Sequence, residues 1–326
     1  MAYLNYKTYG DLLIDIKKNI HKIPENTDLI VGLPRSGMIP AYMISFILNV
    51  KVCSIDEFLS NITISHGKRP IKDTVSNVLV VDDSLTSGDS MQKAKTKINE
   101  VRIKGKITYC AVYVKPGNEG KLDVALTTLS MPRIFQWNYM NHRHIERACF
   151  DIDGVLCVDP TKEQNDDGEK YRQFILNAKP LYLPHYKIYA LVTSRLEKYR
   201  KETEKWLSEH NVKYEHLYML DLPSKEERIR LNMHAKFKAG IYIKLKSAVL
   251  FYESEISQAH EIAELTNKAV FCVETDELVK NPRNFSTQHL TKKQHFKYFV
   301  KKILCFILPF EKWKKELRNY YEKIRL

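Results

Sequence analysis

Short apolar runs recur along this chain, separated by charged segments of helical period, and this alternation constrains the fold more than any other feature. The runs cover residues 29–31, 78–81, 109–114, 148–152, 188–192 and 248–251. Each is too short for a helix, and each reads as a strand buried on both faces of a parallel sheet. The expected class is therefore α/β. Two series of runs occur, divided near residue 147, and each half is long enough to bury its own core. From about residue 281 the strand pattern gives way to a basic, helical composition.

The predicted organisation is two Rossmann-like parallel-sheet domains, residues 1–147 and 148–280, followed by a basic amphipathic helical tail over 281–326. Residues 138–146, polar and aromatic, read as the join. In a chain of 326 residues, 44% hydrophobic and 28% charged residues fit a globular protein and exclude a low-complexity chain. Six cysteines (Cys53, Cys110, Cys149, Cys157, Cys272 and Cys305) are scattered without a CxxC. That spacing argues against a disulfide framework or zinc ribbon and fits a reducing compartment. Neither a secretory signal nor a membrane span is expected, because no apolar run reaches the required length. Formal net charge is +13, and residues 292–326 hold eleven Lys/Arg against three Glu.

Residues 78–90 combine a four-residue apolar strand, the acids Asp82 and Asp83, and a loop of small polar residues opening a helix over 91–98. Ligands of open α/β sheets bind at this end of the strands, and such a loop offers N–H groups and hydroxyls to a phosphate. The two acids suit sugar hydroxyls or Mg²⁺. The alternative is an ordinary strand followed by a capped helix. Residues 29–41 repeat the plan, with Arg35 supplying a planar fork of donors suited to a diphosphate.

The first segment resembles the signature of type I phosphoribosyltransferases. That resemblance assigns Asp82 and Asp83 to the ribose hydroxyls of phosphoribosyl pyrophosphate (PRPP). It assigns Ser84, Thr86, Ser87, Gly88 and Ser90 to the 5-phosphate loop, and Arg35, Ser36 and Gly37 to the pyrophosphate loop. Asp89 departs from the small residue usual there. Residues 65–70 lie where that family has a mobile catalytic loop, so Lys68 and Arg69 are candidates to close over the diphosphate. Phe135 and Trp137 either stack on an acceptor or pack the domain join.

In the second half, residues 148–156 form a strand ending in Asp-x-Asp-Gly. Period-two alternation puts Asp151 and Asp153 on one side, where two carboxylates need a cation or a shared proton. Mg²⁺ is the hard-cation answer. The segment resembles motif I of the haloacid dehalogenase superfamily. By that resemblance Asp151 is a nucleophile that becomes phosphorylated, and Asp153 is the general acid/base. Thr193, with Ser194 beside it, matches the phosphate-binding hydroxyl. Lys238 (or Lys236) matches the lysine that steadies nucleophile and phosphate. Glu253 (or Glu255) stands where an acidic pair normally completes the Mg²⁺ site with Asp151 and Asp153. Residues 154–190 and 194–237 leave no room for a sizeable cap, so an open pocket is expected.

The tail mixes lysines with aromatic and aliphatic residues around Pro309, which suits either an anionic membrane interface or docking on protein. No nucleic-acid motif is present. The fusion resembles enzymes of bacterial polysaccharide biosynthesis. It implies a Mg²⁺-dependent, bifunctional ribofuranosyltransferase: phosphoribosyl transfer to a glycan hydroxyl, the glycan being lipid-linked, then removal of the 5-phosphate. The expected setting is cytoplasmic, peripheral on the inner membrane face, with homo-oligomerisation open. Nucleobase salvage joined to a nucleotidase is the enzymatic alternative. A PRPP-binding regulator that uses the tail on nucleic acid is the non-enzymatic one.

Overall fold

The computed structural model describes residues 4–60, 75–100 and 105–280. The described residues up to 279 form one compact unit. Arg69 and Lys68, and the tail beyond residue 280, lie outside the described residues.

The N-terminal half contains β1 (Asn5–Lys7), α1 (Tyr9–Asn19), β2 (Leu29–Gly32), α2 (Met38–Leu48), β3 (Lys51–Ser54), α3 (Ile55–Leu59), β4 (Asn77–Leu85), α4 (Asp89–Asn99), β5 (Lys106–Val114), β6 (Val124–Thr128) and β7 (Arg133–Phe135). A five-stranded sheet runs β3-β2-β4-β5-β6 with every pair parallel. The chain leaves β2 toward β3 on one side and resumes on the other at β4. The crevice beyond the carboxyl ends of β2 and β4 is therefore the topological switch point, where such sheets bind ligands. β1 and β7 pair in parallel as a separate ribbon.

The C-terminal half contains β8 (Ala148–Phe150), α5 (Glu169–Asn177), β9 (Ile188–Leu196), α6 (Arg200–Glu209), β10 (Tyr214–Leu220), α7 (Lys225–Arg230), α8 (Met233–Lys244), β11 (Leu250–Glu253), α9 (Ile256–Thr266), β12 (Ala269–Cys272) and β13 (Glu277–Val279). Its sheet runs β10-β9-β8-β11-β12-β13, parallel except for β13. Here the switch point lies between β8 and β11.

All six apolar runs are strands, and the α/β class with parallel sheets follows the alternation. The central strands bury both faces, Ile30, Val31, Leu79, Val80, Val81, Leu191 and Val192 being fully enclosed. One expectation needs correction: β4 does not stop at residue 81 but runs through the acids to Leu85. In the segment 138–146, Met140 and Ile145 are buried, and the Tyr139 ring packs 4.5 Å from that of Phe271. Between β8 and β9 the only helix is α5. Between β9 and β10 lie a short 3-10 turn and α6. No helix among the described residues is long and apolar enough to cross a membrane.

Candidate functional site

The first site lies at the crevice between β2 and β4. After β2 the chain turns through 33–37, with Leu33 N–H donating to Val81 O at 2.9 Å. Gly37 is pressed against the neighbouring strand. A Cβ there would meet Leu33 O at 2.6 Å, Val81 O at 2.9 Å and Asp82 Oδ1 at 3.0 Å, so only glycine permits this approach. Ser36 Oγ donates to Asp83 Oδ1 at 2.9 Å, which ties the two proposed loops together. Arg35 is exposed beside them.

Because β4 continues through the acids, they occupy successive strand positions and differ in environment. Asp83 is buried, and its other oxygen accepts from Trp137 Nε1 at 2.7 Å. Asp82 is half-buried. Burial, reinforced by the Asp83 charge, pushes its carboxyl up to about 8. Ser84 is half-buried, and Thr86, Ser87 and Ser90 are exposed on the loop leading into α4. Gly88 has φ +97° and lets that loop turn. Asp89, the departure in the motif, is exposed at the first position of α4.

The loop has supports that the sequence did not advertise. Arg133, on β7, is buried and donates to Leu85 O at 3.1 Å and to Thr86 Oγ1 at 2.9 Å. Lys121 Nζ donates to Ser87 O at 2.8 Å. Phe135 and Trp137 stack on each other at 4.7 Å, and both stack on Tyr113. Both pack on β5 in the N-terminal half, and Trp137, half-buried, also holds Asp83. The only advance sign of Arg133 was a charge next to aromatic residues in a short apolar stretch.

The second site sits at the β8/β11 switch point in a cleft of about 790 Å³. Asp151 follows β8, Thr193 lies on β9, Glu253 ends β11 and Lys238 comes from α8. Lys238 Nζ bonds Asp151 Oδ2, Glu253 Oε2 at 2.7 Å and Gln258 Oε1 at 3.0 Å. All three members of this ion cluster are buried. Burial opposes the lysine charge, yet Asp151 and Glu253 outweigh it and hold the ammonium above its ordinary value. Burial and the Asp151 charge push Glu253 up to about 7 despite Lys238. Lys236 is exposed, as is Glu255, which accepts from Gln258 Nε2 at 2.7 Å. Gly154, at φ +72°, packs on the Ser254 side chain with no room for a Cβ.

Asp153 is engaged differently from the sequence expectation of a metal ligand. Arg195, fully buried, donates through Nε to Asp153 Oδ2 at 3.2 Å and through Nη2 to Oδ1 at 2.6 Å. Thr193 is buried, its Oγ1 accepting from Arg195 N–H at 3.2 Å. Ser194 is also buried and points its hydroxyl toward His234 O at 3.4 Å. Among the described residues no three His, Cys, Asp or Glu side chains are grouped to hold a metal. Asp151 and Glu253 remain hard oxygen donors that fit a divalent cation. The Asp153 carboxylate, paired with Arg195, does not fit that set.

The family model that matches is "Phosphoribosyl transferase domain", over residues 3–139. Residues 3–139 are a phosphoribosyl transferase domain. Such a domain implies PRPP as its donor. The match ends before β8. Among solved structures, the chain resembles the xanthine-guanine-hypoxanthine phosphoribosyltransferase of Helicobacter pylori, at 19% identity over 42% of this chain and 93% of that one, with a TM-score of 0.34. It also resembles a purine phosphoribosyltransferase from Pyrococcus horikoshii, at 21% identity over 41% and 94%, with a TM-score of 0.33. The orotate phosphoribosyltransferase of Aeropyrum pernix gives 16% identity over 37% and 70%, with a TM-score of 0.28. No curated protein matches.

Proposed function

We propose that the chain is a bifunctional ribofuranosyltransferase that transfers 5-phosphoribofuranose from PRPP to a glycan hydroxyl and then hydrolyses the 5-phosphate. The observation that carries the second half is the meeting of Asp151, Thr193 and Lys238, from three separate segments, in one open cleft, with the enclosed Glu253 bonded to Lys238 behind them. A transfer site alone leaves a phosphate on its product. A carboxylate nucleophile beside a buried lysine, in the same compact unit, is suited to remove it.

In the first site the acceptor oxygen attacks C1 of PRPP as the bond to diphosphate breaks, which inverts the α-donor to a β-ribofuranoside. Asp82 is the group placed to take the hydroxyl proton, because both oxygens of Asp83 are held by Ser36 and Trp137. Arg35 receives the diphosphate, and the 84–90 loop, braced by Arg133, receives the 5-phosphate. In the second cleft Asp151 attacks phosphorus as the bond to the ribose 5-oxygen breaks, and Asp153 gives that oxygen its proton. Asp153, aimed by Arg195, then activates the water that cleaves the aspartyl phosphate. Lys238 keeps Asp151 in place. Asp151, with Glu253 behind it, would hold Mg²⁺ in the second site, and the diphosphate would bring it to the first, where it would supply charge neutralisation at phosphoryl oxygens.

A lipid-linked acceptor and a peripheral position on the inner membrane face belong to the same reading, supported by the basic, aliphatic composition of the tail. The test is incubation with PRPP, Mg²⁺ and a panel of synthetic glycans and free nucleobases, read by mass spectrometry. A dephosphorylated pentosyl adduct on a glycan supports the proposal. An adduct on a nucleobase alone replaces it with salvage.

A further inference from the structure

Three cations reach the second cleft from within the protein, and two of them are neutralised there. Lys238 is balanced by Asp151 and Glu253, and Arg195 by Asp153. Arg228, the third, lines the same cleft and is 93% buried, its exposure being 7%. The one hydrogen bond of its side chain among the described residues goes from Nη1 to the main-chain oxygen of Ser194, at 2.6 Å. Nε is buried with no acceptor. A buried guanidinium donor left unsatisfied is costly, and a charge left unbalanced in a cleft is more so.

The surroundings hold this head group in place. Arg228 sits on α7, whose start is capped by Ser224 accepting from Glu227 N–H. The bond to Ser194 pins it beside Thr193, the hydroxyl assigned to phosphate. His234, on the adjoining α8, offers no negative charge: burial, then Arg228 and Lys238, push it down to about 4, so it stays neutral at physiological pH. Arg228 is therefore a fixed cation with no ion pair of its own, beside the neutral His234 and Ser194, in a cleft that Asp159, Glu255 and Glu274 also line.

We infer that Arg228 is a substrate-binding residue whose guanidinium, where it lines the cleft, takes a phosphoryl oxygen of a phosphate monoester. This deepens, and rests on, the phosphatase reading of the cleft. Anchoring by Ser194 leaves the planar head pre-oriented, so little order remains to be imposed when the anion arrives.

The test uses inorganic phosphate as the probe and the full chain. Wild type should bind phosphate in calorimetric titration, and Arg228→Gln should bind about 10- to 100-fold more weakly, the range expected for one charge-assisted hydrogen bond. Arg228→Lys should not restore affinity, because it lacks the planar guanidinium fork. Equal affinity in wild type and Arg228→Gln overturns the inference. Should the variants not fold, wild type alone decides. The Nε–H resonance of Arg228, assigned through bonds from its own amide, should shift on phosphate titration, and a resonance that stays fixed while phosphate binds elsewhere overturns the inference. Hydrolysis of a phosphate ester with KM unchanged in Arg228→Gln would sink the inference and leave the phosphatase standing. Arg228-dependent phosphate binding without any hydrolysis would do the reverse.

Discussion

Replacing Lys238 with methionine tests the second site through stability as well as activity. The substitution nearly conserves volume but removes the cation between Asp151 and Glu253, whose side chains are 8% and 0% exposed. Breaking a buried pair by deleting one partner costs about 3–5 kcal/mol, mostly the uncompensated charge left behind. The pH dependence follows from Glu253. Its folded value, already raised to about 7, exceeds the ordinary 4.5 and should rise further without the lysine. A carboxyl raised on folding contributes stability that is complete below its unfolded value and is lost as pH climbs through the folded one. In wild type the loss due to Glu253 ends near pH 7, whereas in the variant it should go on at about 1.4 kcal/mol per pH unit above it, beyond any slope the two proteins share. Urea unfolding followed by circular dichroism at pH 5.5, 7 and 8 measures both effects. Adding Glu253→Gln should remove the extra slope. A Lys238→Met protein within about 1 kcal/mol of wild type at all three pH values would refute the buried cluster.

Two further outcomes concern the first site. Arg133→Met, which removes the bonds to Leu85 O and Thr86 Oγ1, should raise the KM for PRPP by about 10-fold or more with a smaller change in kcat, since it loosens a loop that binds the donor; steady-state kinetics of diphosphate release checks this. With Asp82 raised to about 8, kcat/KM for transfer should increase with pH up to that region, because only the ionised carboxylate accepts a proton. In Asp83→Asn the limb should move to lower pH, as the neighbouring charge is gone.

The apolar runs disclosed the central strands because strands buried on both faces must be apolar throughout. β10, with Glu215 and His216 in its first turn of sheet, and the short β3 and β6 carry mixed patterns, and tertiary pairing rather than local sequence makes them strands. The signature residues were legible because their chemistry depends on local spacing: Asp82 with Thr86, and Asp151 with Asp153. Their partners were not. Arg195 and Arg228 sit in stretches whose charges look like ordinary solvated surface, and only folding shows that both are buried in the cleft. Trp137 likewise lies 54 residues from the acid it holds. Linear spacing could not report that pairing.

The path from Asp83 through Trp137 and the adjoining Gln136, which bonds Asp276 in the second half, places both sites in one packed unit. Whether they act in sequence is answered most directly by the product of Asp151→Asn. With PRPP, Mg²⁺ and a competent glycan acceptor, wild type should yield an acceptor carrying an unphosphorylated pentose. The variant keeps the transfer site but has no nucleophile for phosphorus, so its product should be heavier by one phosphate group in the mass spectrum. Fully dephosphorylated adduct from purified Asp151→Asn would contradict the assignment of the second cleft as the phosphatase that follows transfer.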